Sequence, residues 1–251
     1  MATISKHDLK QPDEFITWGT RAAAFAEKNL VVVVIGTLLP LLAVGAIFAM
    51  SYNRDQREME AAGKLWAGEK KLQGDAQQGQ FRGLKIPGMN EPKPEDLQAA
   101  LATFTQVATE YPGTKAERRA HLLAADTYYG MEKFDESAKE YDAASNGGTD
   151  MERYYALSGK AHSLEAKKTW DDAAGNYRKI VDDPAMINRD LAALDLSRVL
   201  VKAGKTDDAK ALLAKFTNDY PNSALKDDAS TRLTELGGTP APASTAKPES
   251  N

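Results

Sequence analysis

Three four-residue phrases recur in this chain 36 residues apart: Phe134-Asp135-Glu136-Ser137, Trp170-Asp171-Asp172-Ala173 and Thr206-Asp207-Asp208-Ala209. A fixed interval of that size marks a repeat architecture, in which each unit is one supersecondary element too small to bury its apolar face alone. The acids in each phrase suit the start of a helix, where the helix dipole favours negative charge. Each phrase also follows a turn-sized segment: Gly130-Met131-Glu132-Lys133, Ala166-Lys167-Lys168-Thr169 and Lys202-Ala203-Gly204-Lys205. The chain therefore reads as helix, short turn, helix, repeated. Tyr141 and Ala144, Tyr177 and Ile180, Leu213 and Phe216 stand seven and ten residues past the phrase starts, on one helical face. In the preceding helices Ala125 and Tyr128, Ala161 and Leu164, Ser197 and Leu200 run small then large, which lets the paired helices approach closely. The reading requires Ala125, Ala161 and Ser197 to be buried.

The same pattern extends both ways. Leu97, Ala100, Phe104 and Val107 form the apolar face of an earlier second helix, whose partner lies in the stretch holding Ala61, Leu65 and Trp66. Between them residues 81–94 carry Gly83, Pro87, Gly88, Pro92 and Pro94 and read as a loop. Ser223–Leu236, with Leu225, Ala229, Leu233 and Leu236 on one side, reads as a helix closing the open end of the array. After Gly237-Gly238 a Pro/Ala/Ser/Thr-rich tail is expected to be disordered. Small residues at the helix crossing, an aromatic at the turn and a Pro closing the second helix resemble the tetratricopeptide repeat. The Pro marks are Tyr111-Pro112, Asp183-Pro184 and Tyr220-Pro221, with Asn146-Gly147-Gly148 standing in at one repeat. The expected fold is all-α: an N-terminal transmembrane helix, then an α-solenoid of about four helix hairpins and a capping helix.

The transmembrane expectation rests on Leu30–Met50. No charged residue occurs between Lys28 and Arg54, and about 21 apolar residues span ~30 Å as a helix. Pro40 is a defect that membrane helices tolerate. Gly36, Gly45 and Ala49 place small side chains where another helix can approach, or are ordinary membrane-helix composition. A cleaved signal peptide ending at Ala43-Val44-Gly45 is the rival, disfavoured by Asp8, Asp13, Glu14 and Glu27 ahead of it. Basic residues flank the span on both sides, so charge leaves the orientation open. Before it, Pro12-Asp13-Glu14 starts a helix on which Phe15, Trp18, Ala22 and Phe25 form an aromatic face, for the membrane surface or for a partner. The expected organisation is 1–29 an N-terminal segment, 30–50 the membrane helix, 51–80 a linker helix entering the first repeat, 81–94 the loop, 95–237 the repeats and cap, and 238–251 the tail.

Several functions find no support. The chain of 251 residues has a net charge of −4 with basic and acidic residues interspersed, which disfavours nucleic-acid binding. It has no cysteine, so no disulfide, thiolate zinc site or cysteine nucleophile is available. His7, His121 and His162 show no metal-ligand spacing, and the paired acids at Asp171-Asp172 and Asp207-Asp208 read as helix starts. No phosphate loop is present, Asn146-Gly147-Gly148 reading as a turn. No cofactor, metal or catalytic residue is expected, and the chain reads as a binding protein rather than an enzyme.

A solenoid presents its ligand groove from the first helix of each pair. Arg119 and Asp126, Tyr155 and His162, and Leu191 and Arg198 stand seven apart on equivalent faces, with Tyr129 and Glu165 a turn later. These are the candidate partner-binding positions. The order of parts, with the phrase from Asp13-Glu14-Phe15 through Glu27-Lys28-Asn29 and the Val-rich span after it, resembles the YfgM-like family, ancillary to the SecYEG translocon. Glu110-Tyr111-Pro112-Gly113-Thr114 is also similar to CpoB and BamD, relatives that enter the periplasm by a cleaved signal or a lipid-modified cysteine. The resemblance implies a bacterial inner-membrane protein with a cytoplasmic N-terminus and periplasmic repeats. Its implied partners are translocon subunits, a periplasmic chaperone such as PpiD, or secreted clients, with lipid around residues 30–50. An envelope scaffold of cell division or of a cell-surface machine, and a secreted protein that loses its span, are the other readings.

Overall fold

The computed structural model describes residues 14–72 and 92–239. Residues 81–91 of the expected loop, residues 240–251 of the tail, the residues before Glu14 and the side chains of residues 14–17 lie outside the described residues, and Pro94, expected to end the loop, begins a helix. Ten helices and no strand occur among the described residues, so the fold is all-α. The chain divides into two units, Met1–Gln56 and Arg57–Asn251.

The first unit holds α1 (Glu14–Lys28) and, after Asn29, the start of α2 (Leu30–Leu72), whose residues from Arg57 on belong to the second unit. The backbone N–H of Asn29 donates to Phe25 at 2.9 Å and that of Val33 to Asn29 at 3.0 Å, so the helical ladder continues through the junction. Pro40 sits inside α2, and the residue four before it, whose carbonyl it cannot bond, is Gly36. Thr37 donates its hydroxyl back to Val33 at 2.9 Å and Val34 at 3.1 Å, which hides that polar group in the apolar run. Trp18, Phe25 and, apart from half-buried Val33, the apolar side chains from Leu30 to Met50 are exposed in the chain. The helix α2 has 43 residues, and the boundary between the two units falls within it.

In the second unit the later part of α2 leads into a hairpin with α3 (Pro94–Glu110). The pairs α4 (Lys115–Gly130) with α5 (Phe134–Ala144), α6 (Asp150–Ala166) with α7 (Trp170–Asp182), and α8 (Arg189–Lys202) with α9 (Thr206–Asp219) follow, and α10 (Lys226–Glu235) closes the row. The trailing helices α5, α7 and α9 begin at the first residues of the recurring phrases. Ala125, Ala161 and Ser197 are fully buried, as the solenoid requires. Helices pack on their chain neighbours, and α4 also touches α6, so leading helices line one face. The cap is shorter than expected. Ser223 uses its hydroxyl to bond Asp190 at 2.6 Å and to accept from the Leu225 N–H at 3.0 Å, and helix geometry starts only at Lys226.

The three turns inside the hairpins share one geometry. Glu132, Lys168 and Gly204 all have left-handed φ, at 59°, 62° and 76°. In each, the next residue's N–H closes on a carbonyl of the preceding helix: Lys133 on Tyr128, Thr169 on Leu164 and Lys205 on Leu200, at 2.8–2.9 Å.

Three apolar clusters run along the row. Ala61 and Leu65 of α2 pack with Ala100, Phe104 and Val107 of α3 and Ala120 of α4. Tyr177, Ile180, Leu196 and Val199 centre the next cluster. Leu213, Phe216, Ala229 and Leu233 seal the end. The later part of α2 is also fastened to α4 by a cap. Glu58 accepts the N–H of Lys115 at 2.9 Å and of Ala116 at 3.0 Å, two donors that a helix start leaves without partners.

Candidate partner-binding groove

The leading helices frame a groove. A cavity of about 530 Å³ opens between α4 and α6, walled by Arg119, Leu122 and Asp126 on one side and Tyr154, Tyr155, Ser158 and His162 on the other. Tyr141 of α5 and the bare backbone of Gly159 form its floor. A neighbouring cavity of about 480 Å³ is lined by Glu58, Leu65, Trp66 and Glu69 of α2, by Lys115 and Arg119 of α4 and by Glu152 of α6. Arg119 borders both cavities, and it is held from across the groove by Glu69 at 2.9 Å.

Each wall is positioned by local sequence. The start of α6 is a capping box: Thr149 accepts the Glu152 N–H while Glu152 accepts the Thr149 N–H at 2.7 Å. That backbone bond, with burial opposing it, holds the Glu152 carboxyl below its ordinary range. Thr114 caps α4 by accepting from Glu117 at 3.0 Å. The paired serines Ser137 and Ser163, both fully buried, bond each other at 2.9 Å and let α5 and α6 approach.

Two of the polar groups lining the groove are paired with each other. Tyr141 donates its phenol to Asp126. Removal from water pushes the Asp126 carboxyl up, with the Tyr141 hydrogen bond working against that. The same burial, reinforced by Asp126, drives the Tyr141 phenol well above its normal range. One repeat on, Tyr177 donates to Glu165 at 2.9 Å. Both terminal nitrogens of Arg198 also donate to Glu165, and Arg198 reaches Asp195 at 3.1 Å. Burial raises the Glu165 carboxyl, but the Arg198 and Tyr177 hydrogen bonds outweigh it, leaving it below the usual range.

Of the expected positions, Arg119, Asp126, Tyr155 and His162 meet around one cavity. Glu165 and Arg198 are engaged with each other one repeat away. Tyr129 stacks edge-on against Phe134, with ring centroids 5.4 Å apart. Leu191, on the matching face of α8, is exposed. Gly36, Gly45 and Ala49 are exposed on α2, and a Cβ added at either glycine meets nothing within 4 Å. Sequence reasoning missed Trp66, Leu122, Tyr141, Tyr154 and Gly159. The doublets Leu122-Leu123 and Tyr154-Tyr155 are the signal that was there, since one helical face of a core cannot take both members of a doublet. Among the described residues no group of three or more His, Asp or Glu is gathered to hold a metal ion.

This geometry, leading helices lining a face and small residues at each crossing, defines a helical repeat protein of the tetratricopeptide type. A tetratricopeptide repeat model matches residues 191–223, the hairpin of α8 and α9 with its closing Tyr220-Pro221 turn. No curated protein matches the chain.

Proposed function

We propose that this chain is a membrane-anchored, non-catalytic adaptor that binds proteins in the groove of its leading helices. The carrying observation is the convergence of Arg119, Asp126, Tyr155 and His162, with Trp66 and Tyr154, on two adjoining cavities. Aromatic and arginine side chains around a concave apolar surface are what protein interfaces use as anchors. Tetratricopeptide repeats generally serve protein binding, which supports the adaptor class.

The anchor reading rests on α2. Among the described residues one helix is long and apolar enough to cross a membrane, and its apolar part is exposed. A signal sequence passes the same test. The finer reading, an ancillary subunit of the secretion channel with its repeats in the periplasm, rests on the resemblance to the YfgM-like family. In it residues 30–50 contact lipid, Gly36, Gly45 and Ala49 contact a membrane helix, and the repeats hold a chaperone such as PpiD, a translocon subunit or a secreted client.

Two experiments test this. Carbonate extraction with intact mass separates anchor from signal: a full-length chain retained in the membrane supports the anchor, and a soluble chain starting near Ala46 overturns it. A photoreactive residue at Tyr155 is expected to crosslink proteins of the secretion channel or its chaperones in cells. Crosslinks to division scaffolds in their place would overturn the translocon assignment.

A further inference from the structure

The hairpins are copies, so one of them displays the chemistry another is shaped to accept. Between α6 and α8, Tyr177 donates to Glu165, and Arg198 fills the space beside them, held by Glu165 and Asp195. Thirty-six residues earlier, Tyr177 corresponds to Tyr141, Arg198 to His162 and Asp195 to Gly159. Tyr141 again donates to a carboxylate, here Asp126, one turn earlier on its helix than the counterpart of Glu165. The upstream copy thus keeps phenol and acid but has an imidazole in place of the guanidinium and no side chain in place of the second acid.

Among the described residues no cation pairs with the Asp126 carboxylate. Arg119 is drawn across the groove to Glu69. His162 sets its ring edge-on to Tyr177 at 5.9 Å. Among the described residues Tyr141 is the one hydrogen-bond partner of Asp126. The cavity of about 530 Å³ lies at this place.

We propose that the groove between α4 and α6 takes an arginine side chain of a partner protein. Its guanidinium meets Asp126 beside the Tyr141 hydroxyl, where Arg198 stands one repeat on, and its apolar neighbours rest on Leu122, Tyr154 and Tyr155. A guanidinium fits better than an ammonium because it offers paired donors to a carboxylate and a flat face to the Tyr155 ring. The proposal rests on the groove being the partner-binding face.

The test uses the full chain in lipid nanodiscs and two amidated peptides, Ser-Leu-Tyr-Arg-Leu-Tyr-Ser and its copy with citrulline for arginine. The arginine peptide is expected to bind more tightly by about tenfold or more, a difference of ~1.4 kcal/mol. Asp126→Asn is expected to erase that preference, so that the two peptides bind the variant equally. His162→Arg, which supplies the downstream residue, is expected to fill the site and weaken the arginine peptide to the same level. Equal binding of both peptides overturns the arginine proposal and leaves the groove reading standing. Binding of neither overturns the proposal too, and absence of crosslinks from a photoreactive residue at Tyr155 in cells then removes the groove reading as well. Unchanged circular dichroism and melting of Asp126→Asn, with Tyr141→Phe as the second variant, excludes misfolding as the cause.

Discussion

The ring of Tyr141 lies on the bare backbone of Gly159, where an added Cβ would stand 2.4 Å from two of its ring carbons. Gly159→Ala must therefore push the ring out of the groove floor. The expected cost is about 1–2 kcal/mol, overpacking outweighing the helix propensity gained. Gly175, in α7, has nothing within 4 Å of an added Cβ. Gly175→Ala is expected to stabilise by ~0.5–1 kcal/mol. Urea unfolding midpoints of the two variants should move in opposite directions.

The left-handed residues of the hairpin turns give a second pair. Lys168, at φ 62°, carries a side chain where Gly204 has none. Left-handed backbone costs an ordinary residue about 1–2 kcal/mol, of which glycine's greater freedom when unfolded takes back part. Lys168→Gly is expected to stabilise by ~0.5–1 kcal/mol and Gly204→Ala to destabilise by ~1 kcal/mol. Thermal melting checks both, at roughly 2–4 °C per kcal/mol for a domain of this size.

Glu58 caps a helix to which it is joined only through a distant part of the chain. Glu58→Ala leaves the Lys115 and Ala116 donors to water, a loss of about 1–2 kcal/mol. Hydrogen exchange should speed up at the first turn of α4 and stay unchanged at α9. Equal acceleration at both helices would mean that the carboxylate acts on global stability alone.

Arg198→Ala strands a carboxylate whose side chain is 11% exposed. The expected loss near neutral pH is about 1–2 kcal/mol, below the fully buried case because Arg198 is itself partly in water. In the native protein Glu165 titrates below its unfolded value, so its contribution is present above the unfolded carboxylate range and lost as pH falls through the folded value. Without Arg198, burial dominates and the sign reverses. The stability gap between native and variant should shrink as pH falls from neutral to about 3. A constant gap across that range would mean that Arg198 contributes packing and not charge.

The repeat was legible because burial forces side-chain sizes to recur. Small residues at 125, 161 and 197 and helix starts at Phe134, Trp170 and Thr206 follow from periodicity alone. The faces of α4 and α6 were also legible at Arg119, Asp126, Tyr155 and His162, since seven-residue spacing returns to one side of a helix. What periodicity does not encode is pairing between repeats. Arg119 with Glu69, and Lys115 with Glu58, join residues about fifty apart in sequence, and any of several acids would have satisfied the pattern. The face predicted at Glu165 and Arg198 was read one helix at a time, and only the packed array shows the two side chains engaged with each other. The Thr149 capping box could have been found from its Thr-x-x-Glu spacing. The glycine floor at 159 could not, since a helical glycine announces neither which ring will lie on it nor that one will.

Because each helix leans chiefly on those before and after it along the backbone, the array has no single keystone. Proteolysis or force applied at the carboxyl terminus would strip α10, then the hairpin of α8 and α9, as separate events. The cleft between α4 and α6, shielded by intact units on both flanks, would be among the last features to disappear, so loss of the outermost helices and loss of grip on a partner need not coincide.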